Sequence, residues 1–184
     1  MLRSVFLWFY CLPLLNAVVV VGLASVTFLL VRSWLVRRSI WKPFVSIAFL
    51  ACLVVIFAGT IGDRVPSQQA IQPQWIPFHS YRAVLAGANQ EILRSNFMNV
   101  VLFYPAGMCF CELLPKNWSR IRRVALTGLL FLCLSAGVEW GQYCFSIGQT
   151  EMDDVIHNSL GALLGALVGT ISFPIVNNTP GKDI

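Results

Sequence analysis

The residues able to do chemistry in this chain are few, and apolar sequence surrounds them. Asn96 and Asn99 are one helical turn apart, as are Glu139 and Gln142, while Asp153, Asp154, His157 and Asn158 follow one another closely. Residues three or four apart share one helix face, so each group presents its carboxylates and amides in one direction. Such groups accept hydrogen bonds from ammonium or hydroxyl groups, and the amides also donate. Carboxylates in different environments can divide acid–base work between them, which makes Glu139 and Asp154 the candidate catalytic residues, Glu139 as general base. Nucleophilic catalysis has no obvious carrier. No Ser or Cys stands at helical spacing from a His–carboxylate pair within this set, and Ser159 beside His157 is the only neighbour to consider. With His79 and His157 the only histidines and no Cys-x-x-Cys pair, no metal site is expected, and the pattern designates no cofactor.

The elements that must position these residues are membrane helices. The 184 residues are 57% hydrophobic and 11% charged, with a mean hydropathy of +0.72, against about 25% charged in soluble domains. A hydrocarbon core of about 30 Å takes about 20 apolar residues in a helix. Five runs approach that length: Ser4 to Val31, bent or tilted near Pro13; Pro43 to Ile61; Asn96 to Leu113; Val124 to about Ser146; and Asp154 to Ile175. The expected fold is all-α, about five transmembrane helices in one bundle. It divides into two N-terminal helices over 1–62, an outer loop over 63–95, a three-helix core over 96–176 and a short polar tail over 177–184. The net charge of +5 does not indicate nucleic acid, because the basic residues cluster between apolar runs. Arg32, Arg37, Arg38 and Lys42 follow the first run, and Lys116, Arg120, Arg122 and Arg123 follow the third. Both loops are expected inside, with the N-terminus outside and the C-terminus cytoplasmic.

In that orientation the polar groups of three helices reach the outer leaflet together. Polar side chains in lipid are costly and usually face a bundle interior or a wet cavity. The convergence predicts an outward-facing polar pocket lined by Asn96, Asn99, Glu139, Gln142, Asp154 and Asn158, with Arg94 near its rim and Asp153 beside it. Two plainer roles compete. Asp153 and Asp154 can cap the fifth helix, and Glu139 can make a purely structural interhelical hydrogen bond. Gly161, Gly165 and Gly169 continue the face of Asp154 and Asn158 and would let a neighbouring helix approach closely. Pro105 removes a donor inside the third helix, and Glu112 is placed to pair with Lys116 at the inner end.

Four of these segments together resemble the VanZ-like family of bacterial integral membrane proteins. Trp75-Ile76-Pro77-Phe78 is similar to the family's apolar-Ile-Pro-Phe segment, and Asn99 to Gly107 to its Asn-x-x-Leu-Phe-x-Pro-x-Gly element. Glu139-Trp140-Gly141-Gln142 resembles its Glu-x-x-Gln, and Asp153 to Gly161 its Asp-Asp-x-x-x-Asn-x-x-Gly. The likeness runs from about Trp75 to Gly169, making the 96–176 segment the VanZ-like core. Where the family commonly carries an Arg before the paired aspartates, this chain has Gly148-Gln149-Thr150-Glu151. The resemblance implies a multi-pass protein of the bacterial inner membrane, with a link to teicoplanin-type resistance.

Three functions follow as expectations. The favoured one is non-enzymatic: binding or moving an envelope ligand, either a lipid-linked cell-wall intermediate or a glycopeptide-type antibiotic, at the outward pocket, with membrane lipid as the standing partner. The second is an intramembrane enzyme acting on a lipid-linked substrate. The third is a structural partner in a membrane assembly. The sequence does not set an oligomeric state.

Overall fold

Long apolar runs have one way to satisfy their backbone groups without water, the α-helix. The structure, a computed structural model describing residues 13–62, 72–88 and 91–171, is helical accordingly. Its helices are α1 (Pro13–Val36), α2 (Trp41–Phe57), α3 (His79–Leu85), α4 (Glu91–Leu113), α5 (Arg120–Phe145) and α6 (Met152–Gly169). A π turn, Ala58–Gly62, prolongs α2. Among the described residues there is no strand, only an isolated bridge between Gln74 and Glu151. The segment before Pro13 and the polar tail lie outside the described residues, as does the remainder of the fifth run beyond Ile171.

Five spanning helices are expected from the sequence, whereas three described helices are long and apolar enough to cross a membrane: Leu15–Val36, Trp41–Ile61 and Arg120–Phe145. The other two long helices, α4 and α6, are diluted by Arg94, Asn96, Asn99 and Glu112 on one and by Asp153, Asp154, His157 and Asn158 on the other. The physical reason is their place in the bundle. These two helices make the most extensive contact in the molecule, α4 also receiving α1 and α2 and α6 receiving α5. A helix covered by protein does not need lipid-compatible side chains on every face.

Glycine makes that central contact possible. A Cβ on Gly161, Gly165 or Gly169 would lie 2.3, 2.0 or 2.7 Å from the carbonyl oxygens of Val100, Tyr104 and Met108, and one on Gly107 would lie 2.1 Å from that of Ala162. The two backbones therefore touch along about two and a half turns, as small-residue stripes permit in membranes. The paired numbers rise together, so α4 and α6 run parallel. Ser25 bonds Tyr104 and Arg32 bonds Glu112, so α1 runs with them. Trp41 meets Glu112 and Thr60 meets Gln142, while Arg123 meets Gly169 and Ser135 meets Asn158, so α2 and α5 run the other way. Ile56, Phe103, Ala106, Phe131 and Ala162 form the buried centre. Outward, Leu23, Leu30, Ile47, Val54, Leu129 and Leu167 are exposed apolar side chains on α1, α2, α5 and α6, a lipid-compatible exterior.

Candidate functional site

The alternation of directions gathers the polar residues of α4, α5 and α6 at one end of the bundle. There the Asn99 amide donates to Asp154 Oδ1 at 2.7 Å, joining α4 to the first turn of α6. Beside this pair opens a cavity of about 220 Å³ lined by Ile92, Ser95, Gln149, Glu151 and Asp154. Two carboxylates, a hydroxyl and an amide in so small a space suit a group that donates hydrogen bonds or carries positive charge. The same acidity disfavours a phosphate.

Its neighbours are used differently. Glu139 is buried on α5, and its Oε2 accepts the backbone N–H of Glu151 at 3.0 Å, fixing the α5–α6 turn. The Asn158 amide donates to Ser135 Oγ at 2.8 Å, one turn below Glu139. Gln142 reaches α2 instead, donating to Thr60 O at 2.8 Å. That carbonyl lies in the π turn, where the regular helical bonding changes and a side chain can reach in. Asn158 Oδ1, Gln142 Oε1 and Asn96 Nδ2 are buried without a partner among the described residues.

Asp153 faces away from the cavity. Its carboxylate accepts the backbone N–H groups of Phe78 and Ser80, the latter at 2.8 Å, and so caps α3 from another element. A helix start leaves such donors free, and a carboxylate there also meets the positive end of the dipole. The capping considered from sequence was of the fifth helix; the helix that Asp153 caps is α3 instead. Phe78 stands at φ 59°, a left-handed conformation unusual for a bulky residue and held here by that clamp. One turn along α6, His157 bonds the Asp153 carbonyl through Nδ1 and the Tyr81 hydroxyl through Nε2 at 2.7 Å, with the rings stacked. Burial pushes the Tyr81 hydroxyl above its ordinary value, and the Asp153 charge adds to it. Gln74 completes the fastening, donating to Thr150 O and accepting from Met152 N, both at 2.9 Å. Loop residues 74–81 are therefore laced across the start of α6.

Arg94 lies on another face of α4. It lines a separate cavity of about 150 Å³ between α1 and α4, with Asn16, Ala17, Val20, Phe97 and Met98. The reason is helical phase: Asn99 and Ser95 share the face toward α6, and Arg94, Phe97 and Met98 share the face toward α1. The single pocket expected from sequence is therefore divided. Asp154 lines the cavity and Asn99 bonds it from α4, Glu139, Gln142 and Asn158 brace the helices behind it, Asp153 holds the loop, Asn96 is buried on α4, and Arg94 lines the other cavity. Sequence reasoning missed Ser135, Thr60, Tyr81 and Gln149. Ser135 had a signal, standing four residues before Glu139 on the same face; the others depend on contacts between distant segments. Among the described residues no group of three or more His, Cys, Asp or Glu side chains could hold a metal ion.

The four segments that resembled a known family now have positions: the 75–78 loop across the start of α6, the Asn99–Gly107 stretch on α4, the Glu139–Gln142 turn at the end of α5 and the Asp153–Gly161 face of α6. No curated protein and no solved structure matches the chain. The profile of the VanZ/LLP1 family does match, over residues 44–173, and so takes in α2 and the Thr60 turn as well as the segments from Trp75 onward. With most of its length inside that match and an apolar helical exterior, this chain is a membrane protein of the VanZ/LLP1 family.

Proposed function

We propose that the protein binds an amphiphilic envelope ligand at the polar end of the bundle, taking a hydrogen-bond-donating or cationic group of that ligand into the cavity beside Asp154. The observation that carries this reading is the cavity itself, lined by Asp154, Glu151, Gln149 and Ser95, with Asp154 oriented by Asn99. An acidic lining favours the amine and sugar groups of a glycopeptide such as teicoplanin, or the sugar–peptide portion of a lipid-linked cell-wall intermediate, over the phosphates of the latter. The family resemblance supports the glycopeptide in particular.

In this reading α4 and α6 also cross the bilayer, shielded by the three apolar helices, and the chain is a five-span protein of the bacterial inner membrane. At about 1.5 Å per residue, α4 reaches about 35 Å and α6 about 27 Å, close to the hydrocarbon thickness. Orientation follows from charge: the basic ends of α1, α2, α4 and α5 lie together, which favours that end in the cytoplasm, the N-terminus outside and the cavity facing outward. Engagement of Glu139 by the Glu151 N–H supports a positioning role for it over that of a general base.

The test is titration of teicoplanin, and separately of a lipid-linked disaccharide–peptide, against the full chain in lipid nanodiscs. Asp154→Asn is expected to weaken binding about tenfold, the scale of one charge-assisted hydrogen bond. Equal affinity of Asp154→Asn and Asn99→Ala to the unaltered protein for both ligands, with the fold intact, would remove the cavity from consideration.

A further inference from the structure

The opposite end of the bundle carries a second built arrangement, independent of the cavity at Asp154. Glu112, at the end of α4, is wholly buried as a side chain and collects donors from three segments: Arg32 Nε at 3.0 Å, Trp41 Nε1 at 3.1 Å and Lys116 Nζ. Around these donors opens a cavity of about 430 Å³ lined by Arg32, Val36, Ser39, Trp41, Lys42 and Lys116. Three cations line it, and Glu112 beneath them offsets one, so the cavity is left cationic. Arg32 is held in place by the buried carboxylate, and Lys116 keeps a side chain 46% exposed toward the opening. The N-terminus of α2 opens at the same rim with no side chain capping it, which adds the positive end of a helix dipole.

We infer that this cavity binds the phosphate headgroup of an anionic phospholipid. The ligand chemistry follows from the cations and the Ser39 hydroxyl, a donor set suited to phosphate oxygens. The lipid source follows from the surroundings. The cavity lies where α1 ends and α2 and the post-α4 segment begin, the level at which spans leave the membrane. Ile40 and Phe44, 46% and 44% exposed, present apolar surface next to it for acyl chains. A free phosphate would use only the cationic half of this arrangement. Basic sites between transmembrane helices near the inner surface are the general means by which proteins hold anionic lipid.

The test uses the full chain in detergent, titrated with phosphatidylglycerol, phosphatidylcholine or inorganic phosphate and read by native mass spectrometry and Trp fluorescence. Phosphatidylglycerol is expected to bind at least about tenfold tighter than phosphatidylcholine, and inorganic phosphate not to compete with it. Lys42→Gln with Lys116→Gln should weaken phosphatidylglycerol by about 25-fold, about fivefold for each charge. Arg120→Gln with Arg122→Gln removes equal charge at the same end but outside the cavity, and should change the affinity less than about threefold. If the double variant loses its folded elution profile, Lys42→Gln alone, an exposed position, carries the test at about fivefold. The site is overturned if both lipids bind equally, if the Lys variants bind as well as the unaltered chain, or if the Arg pair loses as much as the Lys pair. Competition by inorganic phosphate at equal concentration overturns the lipid as the source of the anion.

Discussion

The two ends of the bundle bury carboxylates in opposite ways. At one end Glu112 is met by charged and neutral side chains, Arg32, Lys116 and Trp41. At the other, Asp153 and Glu139 are met by backbone N–H groups of Phe78, Ser80 and Glu151. A cation compensates a buried charge directly, yet it leaves that end positive and accessible to anions. Backbone donors leave the net charge negative and fix the chain path instead, so they hold a loop and a turn in place around the acidic cavity. The comparison teaches that charge placement and loop fastening are distinct uses of the same residue type, and that each end has the electrostatics its compensating groups impose.

The largest perturbation erases the comparison altogether. Gly165→Leu would drive a side chain into the Tyr104 carbonyl, where even a Cβ would sit at 2.0 Å. Separation of α4 from α6 undoes both ends at once, and the expected cost exceeds about 3 kcal/mol, read as loss of the folded peak in size-exclusion chromatography. Glu112→Ala acts on one end only. It leaves Arg32 without its carboxylate, and unfolding in mixed detergent should show a loss of about 3–5 kcal/mol. Asp153→Ala is the counterpart at the other end. Two backbone donors and the conformation of Phe78 lose their anchor, for about 2–3 kcal/mol, with protease cutting appearing first in the 74–81 loop. Tyr81→Phe removes one hydrogen bond from the same fastening, and about 1 kcal/mol is expected in the same assay. Asp154→Asn is the smallest in stability, less than about 1 kcal/mol, because the side chain is only partly buried and Asn99 can still bond an amide. Its effect belongs to ligand affinity. A large loss of stability with Asp154→Asn, or none with Asp153→Ala, would reverse the division of labour between these adjacent aspartates.

The sequence anticipated part of that division, setting Asp154 with Asn158 on the pocket face and Asp153 beside it, but not that Asp153 reaches the 74–81 loop. Successive helical positions differ by about 100° in direction, so one aspartate meets the loop and the other the cavity. The same phase argument separates Arg94 from Ser95 and Asn99. By contrast, the glycine periodicity along α6 was legible, because a four-residue repeat of Gly has few explanations other than close packing. The pairing of Glu112 with Lys116 was legible for its local spacing, while Arg32 and Trp41, distant in the chain, were not. The contact of the 74–81 loop with α6 was not legible, since neither Gln74 nor Tyr81 has local partners that would announce it.

The sequence by itself determined the helical class, the membrane setting and the family likeness, because apolar run length and short motifs are local properties. It also placed the amides and carboxylates of α4, α5 and α6 at one end, since alternating helices constrain depth. The tertiary structure alone decided which of them share a cavity, which brace the helices and which fasten the loop. Those outcomes depend on the rotation of each helix about its axis, and that rotation is set by packing between segments far apart in the chain: Gly165 against Tyr104, Asp153 against Phe78 and Gln142 against Thr60.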